Sequence, residues 1–161
     1  MRVLRPVVLL ALAWPTVAGA QSSSDARVTP ELRADAIVAR ARTLLHAGAG
    51  LQVPAGYYAR IGIIAGAGAD VGTGATVASG RLDLVGRFLF DPFRQNRWGL
   101  SAGAGVSLRV REGDRVRPQL LTVFDLEGPR GENGLVPAVQ LGLGGGVRLG
   151  AAMRWGAKGS R

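Results

Sequence analysis

From Trp98 to Arg111 the chain reads WGLSAGAGVSLRVR, and its two alternating sets of residues have opposite chemistry. Trp98, Leu100, Ala102, Ala104, Val106, Leu108 and Val110 share one face of an extended chain. Gly99, Ser101, Gly103, Gly105, Ser107, Arg109 and Arg111 share the other. Successive side chains of a strand point to opposite sides, so a period of two predicts a strand and not a helix. Any fold for this chain must hide one of those faces, and the question is from what.

The same period runs through most of the sequence. In Tyr57–Asp70 and Thr76–Phe90 apolar residues again alternate with glycine, serine and charge, Arg81, Asp83 and Arg87 among them. Arg115–Glu127 sets Val116, Pro118, Leu120, Phe124 and Leu126 against Arg115, Arg117, Gln119, Asp125 and Glu127, with Leu121 and Val123 as exceptions on the polar face. Pro137–Trp155 sets Val139, Leu141, Leu143, Val147, Leu149, Met153 and Trp155 against Gln140, three glycines, Arg148 and Arg154. Short Gly-, Pro- and Asp-rich connectors lie at 54–56, 71–75, 91–97, 112–114 and 128–134. Short connectors between consecutive strands predict an antiparallel up-and-down meander.

Six strands are read plainly, the first over about 42–53. Residues 30–40 are open to two readings. Thr29 as a cap, Pro30 and the helix formers of ELRADAIVARA fit a short helix, and a further strand fits as well. Residues 136–155 are long enough to fold back on themselves. A two-residue hairpin would invert their parity, however, and the parity holds, so they count as one of the six, and eight strands, or a partner chain that completes the wall, stay open.

The N-terminus, MRVLRPVVLLALAWPTVAGAQ, has a basic start, a short apolar stretch over Val7–Val17 and Ala18-Gly19-Ala20 before Gln21. That order is a secretory signal peptide over 1–20. Residues 21–41 then read as a lead-in, 42–156 as the folded unit and 157–161 as a tail. The chain has no cysteine, so disulfides and thiolate chemistry are excluded. Its formal charge is +9, and Lys158 is the one lysine among its 20 basic residues. No nucleic-acid motif accompanies that charge, which by itself speaks to solubility and non-specific association.

Two architectures satisfy the alternation. A soluble β-sandwich packs its apolar faces together. A membrane β-barrel turns them to lipid and its polar faces to a lumen. Three features favour the barrel. Small residues crowd the polar faces, where they leave room for arginines. Tyr57, Phe88, Phe90, Trp98 and Phe124 are read on the apolar faces near the 54–56, 91–97 and 128–134 turns, all on one side of the meander, as an interfacial girdle would be. Strands of about 12–15 residues reach about 32 Å at a 45° tilt, enough for the hydrocarbon core.

On these grounds the chain resembles the small outer-membrane β-barrels of Gram-negative bacteria. The resemblance covers about Arg42–Trp155 and rests on the export signal, the inverted alternation, the stretch FDPFRQNRWGLSAGAGVSL and a last strand ending on the aromatic Trp155. It implies a closed barrel of at least eight strands, residence in the outer membrane among its lipids, and contact between the 91–97 loop and lipopolysaccharide. It also implies an inward charge network of Arg81, Asp83, Arg87, Arg109, Arg111, Arg117, Asp125, Glu127 and Arg148. Tyr57, Phe88, Phe90, Trp98, Phe124 and Trp155 would be the interface aromatics. With more arginines than carboxylates on the polar faces, the lumen is expected to be basic.

No catalytic, cofactor or metal constellation stands out. His46 is the one histidine, and a lone histidine is more often a structural hydrogen-bonder than a catalyst. Asp83 and Asp125 as an acid and base weigh less than the same residues as lumen ion pairs. The glycine runs AGAGAD and GLGGGV lack the strand-turn-helix setting of a phosphate loop. The first reading is therefore a non-enzymatic outer-membrane barrel with a structural or surface role, or a very narrow basic-lined pore. The alternative is a soluble periplasmic β-sandwich or ligand-binding barrel. An outer-membrane lipid-modifying enzyme is more distant.

Overall fold

The computed structural model describes residues 28–72, 76–93 and 95–155. They form eight strands: β1 (Thr29–Ala39), β2 (Arg42–Pro54), β3 (Ala59–Gly72), β4 (Val77–Leu89), β5 (Gly99–Arg111), β6 (Arg117–Glu127), β7 (Leu135–Leu143) and β8 (Val147–Trp155). Each strand pairs antiparallel with the next, and β1 pairs with β8 to close a barrel. Closure removes both sheet edges, so every strand has a partner on each side.

Three of these strands, β1, β7 and β8, lie where the sequence reading left alternatives open. Residues 29–39 are a strand of the wall and not a helix or a lead-in, so the barrel begins at Thr29. The helix-start signature of Thr29 and Pro30 is overridden because Glu31, Arg33 and Asp35 alternate inward and find partners across the lumen. The stretch 137–155, counted as one strand with a fold back left open, is a hairpin. Leu143 pairs with Val147 across Gly144-Gly145-Gly146, and a three-residue turn keeps odd residues on one face where a two-residue turn would swap them. Gly145 has φ 72° and Gly146 φ 157°, a path that only glycine follows readily. The two-residue turn at Arg40-Ala41 does swap parity: odd residues point inward on β1, even ones on β2. The proposed signal peptide and the tail after residue 156 lie outside the described residues.

The barrel is inverted relative to a soluble protein. Leu32, Leu45, Ile61, Leu84, Leu100, Leu120, Leu141 and Leu149 are exposed on its outer wall. Glu31, Arg33, Asp35, Arg81, Asp83, Arg87, Asp125, Glu127, Arg148 and Arg154 are buried within it. Leu121 and Val123, the two exceptions on the polar face of β6, pack inside against Val85. An eight-stranded wall leaves an interior just wide enough for side chains to fill.

Candidate functional site

The buried charges of the lumen divide into two groups. At mid-height Asp35 of β1, Arg81 and Asp83 of β4, and Arg148 of β8 form a closed ring. Arg81 reaches Asp35 at 2.5 Å and Asp83 at 3.0 Å, and Arg148 reaches the same two carboxylates at 3.3 and 2.7 Å. Ser107 donates to Asp83 at 2.6 Å. Two carboxylates face two guanidiniums, and every member is at most 1% exposed at its side chain.

Nearer the end that carries Val28 and Trp155 lies the second group. Arg154 contacts Glu31 at 2.7 Å, Asp125 at 3.3 Å and Glu127 at 2.6 Å. Arg33 pairs with Glu31 and donates to Gln140, which in turn donates to Asp125. Arg87 pairs with Asp125 at 2.7 Å, Gln52 donates to Glu31, and the half-buried Arg60 reaches Glu127 at 3.1 Å. Taking a charge out of water is expensive unless a partner and further hydrogen bonds compensate it. Every charge of both groups has an opposite partner, most of them on another strand, while Arg87 Nη1 and Nη2 are buried with no hydrogen-bond partner among the described residues.

Of the network expected from sequence, the structure brings Arg81, Asp83 and Arg148 together in the ring and Arg87, Asp125 and Glu127 in the second group. Arg109, Arg111 and Arg117 stand apart from both. The sequence reading missed Glu31, Arg33 and Asp35 because it did not commit residues 30–40 to a strand. Arg154 was placed on the polar face but not in the network. The alternation of Glu31, Arg33 and Asp35 with Leu32, Ala34 and Ala36 was the available signal. With Glu31 and Asp35 counted, the two buried groups are close to neutral, so the expected basic lining does not extend through the lumen.

The excess charge gathers at the other mouth. Arg42, Arg109, Arg111, Arg115 and Arg117 line a cavity of about 20 Å³ with Asp70 and Asp114. Asp70 is held by Arg42 at 3.6 Å and Arg111 at 3.7 Å, and Asp114 by Arg117 at 2.9 Å. The backbone amide of Arg115 and then the Arg117 guanidinium hold the Asp114 carboxyl below its ordinary range. Arg109 makes no ion pair, and its Nη1 is buried without a hydrogen-bond partner among the described residues.

His46 is buried, with Nε2 2.9 Å from Ser79 Oγ and Nδ1 3.5 Å from Arg81 Nη1. Arginine only donates, so the contact favours an unprotonated Nδ1 and places the ring proton on Nε2. Nε2 then donates to Ser79 and is not available to take its proton. Among the described residues no three His, Asp or Glu side chains are grouped to hold a metal ion.

The aromatics form a belt at the opposite end from the arginine mouth. Tyr57, Phe88, Phe90, Trp98, Phe124 and Trp155 are all exposed there, at the ends of β4, β6 and β8 and in the loops beside them. Tyr58 and Phe93 join them, unforeseen because Tyr58 falls on the opposite parity and Phe93 in the 91–97 connector. Tyr58 stacks on Phe88 at 5.9 Å, Phe90 meets Phe88 edge-on at 5.7 Å, and Phe93 lies 6.3 Å from both tyrosines. The 91–97 loop belongs to this end.

No protein-family model matches the chain, and no curated protein sequence matches it. Among solved structures it is similar to the N-terminal β-barrel domain of Pseudomonas aeruginosa OprF, with 13% identity and a TM-score of 0.55 over 78% of this chain and 96% of that one. A de novo designed protein, TMB2.3, aligns over 81% of this chain and 94% of its own, at 11% identity and a TM-score of 0.47. At these identities the first likeness is one of fold, and the closed antiparallel up-and-down barrel expected from the sequence is the fold the chain has, with eight strands where six were read plainly.

Proposed function

We propose that this chain is a non-enzymatic outer-membrane protein whose barrel serves as a sealed wall element with a structural or surface role, and not as an open pore. One observation carries the reading: leucine, isoleucine and valine cover the outside while paired charges fill the inside. In water such a barrel exposes a continuous apolar band, which soluble monomers avoid. In a bilayer the same band faces hydrocarbon and the aromatic belt sits at one interface. The ion-paired lumen supports sealing, because moving an ion through it requires parting guanidiniums from carboxylates.

Cell fractionation tests the location. A membrane barrel needs detergent for extraction and changes its apparent mass on boiling, whereas release by osmotic shock overturns the reading in favour of a soluble periplasmic barrel. The lipopolysaccharide contact at 91–97 belongs to the same proposal and requires the aromatic end to face outward. Because the chain has no cysteine, Gln95→Cys gives a unique label. Reaction with an impermeant thiol reagent on intact cells supports that orientation, and protection there argues against it.

A further inference from the structure

The inner faces of β4, β5 and β6 carry three arginines in register. Arg81 pairs with Arg109, and Arg109 pairs with Arg117. Like charges placed directly opposite across strands repel. Arg81 is neutralised by Asp35 and Asp83, and Arg117 leans on Asp114. Arg109, between them, pairs with no carboxylate among the described residues, and its Nη1 is buried without a hydrogen-bond partner there. Arg42 and Arg111 add two more guanidiniums and share the single carboxylate of Asp70. The lining holds three more positive charges than negative ones, and Glu112 on the same turn is exposed outside that lining.

We infer that this mouth is a binding site for a phosphate-class oxyanion, with Arg109 as its floor and Arg42, Arg111 and Arg117 as its rim. A guanidinium presents paired N–H donors that match phosphate oxygens. The cavity of about 20 Å³ accepts one oxygen-sized group, and the exposed side chain of Arg117 can swing to admit the rest. The Asp35–Arg81–Asp83–Arg148 ring lies beneath, so the anion is held at the mouth and does not pass through. The arginines face the inside of the rim. A soluble phosphate and the phosphate of a lipid headgroup bent over the rim share the required chemistry.

The test is calorimetric titration of inorganic phosphate into the full mature chain refolded in zwitterionic detergent, at constant ionic strength. Saturable binding is expected. Arg109→Gln weakens it by about ten- to a hundredfold, the worth of a hydrogen bond to a charged group. Since Arg109 makes no ion pair among the described residues, that change leaves the unfolding midpoint unchanged or raises it. Asp70→Asn, which frees Arg42 and Arg111, tightens binding, and Arg97→Gln at the opposite end has no effect. Repeating the titration in phosphatidylcholine nanodiscs with and without phosphatidic acid separates the sources. Loss of phosphate affinity in the acidic lipid assigns the site to a headgroup, and unchanged affinity assigns it to a soluble anion. Absence of saturation with either probe, or equal affinity in wild type and Arg109→Gln, overturns the inference. The readout concerns the mouth alone, so it stands or falls separately from the barrel's location.

Discussion

The Arg148 guanidinium on β8 donates to the Asp83 carboxylate on β4 at 2.7 Å. In a ring of eight strands β4 and β8 lie opposite one another, so this contact spans the lumen. Arg81 and Asp35 complete the bridge. Removing one member strands a buried charge. Arg148→Leu is expected to cost about 3–5 kcal/mol, measured by urea unfolding in detergent. Asp83→Leu combined with Arg148→Leu leaves Arg81 and Asp35 paired, and is expected to cost less than Arg148→Leu alone. Equal or additive losses would show that the four residues do not act as a unit.

The same bridge predicts the electrical behaviour. With the mid-lumen ring and the second group of pairs in place, purified protein in planar bilayers is expected to show no large conductance. The arginine excess sits at one mouth, so any residual leak should prefer chloride to potassium. Large cation-selective channels would mean that the lumen is organised otherwise in a membrane.

The sequence exposed the wall more readily than its closure. Where a face mixed glycine and serine with charge against continuous apolar residues, as in β4 and β5, strand and facing were both legible. Two pieces were not. In β1 the inward residues are charged and the outward ones include Ala34 and Ala36, a composition that suits an exposed helix equally well. Its strand identity depends on Gln52, Arg81 and Arg154, which are remote in sequence. In the β7–β8 hairpin, an odd-length glycine turn preserves parity and so hides the reversal. The charge balance followed from the first omission: without Glu31 and Asp35 the lumen looked basic throughout, and the concentration of excess at Arg109 was invisible.

Lipid facing predicts a dependence on depth. Leu84 points outward near the middle of β4, and Val110 points outward near the end of β5. Leu84→Arg is expected to cost about 2–4 kcal/mol of stability in lipid vesicles, and Val110→Arg about 0–1 kcal/mol. Both fold equally well if the barrel is water-soluble. The comparison is a folding yield in vesicles, read by the shift in mobility between boiled and unboiled samples.

Glycines inside the wall do two different things, and substitution separates them. Some leave room for lumen side chains: a Cβ at Gly62 would lie 2.9 Å from Arg87 Nη1. Others let neighbouring backbones approach. A Cβ at Gly105 would stand 1.9 Å from the Leu84 carbonyl oxygen and 2.8 Å from Val85 Cα, atoms that cannot rotate away. Alanine there forces β4 and β5 to shift relative to one another, beside the inward-packed Val85. Gly105→Ala is therefore expected to destabilise the barrel by about 1–3 kcal/mol, the usual range for overpacking. Gly80, also on β4, has nothing nearer than the Gly66 carbonyl oxygen at 3.8 Å. Gly80→Ala fits without strain and restricts the unfolded chain, so it is expected to stabilise by about 0.4–1 kcal/mol. Urea midpoints of the two variants should move in opposite directions. Movement in the same direction would show that space at the wall, and not the general cost of glycine in a strand, fails to explain why position 105 lacks a side chain.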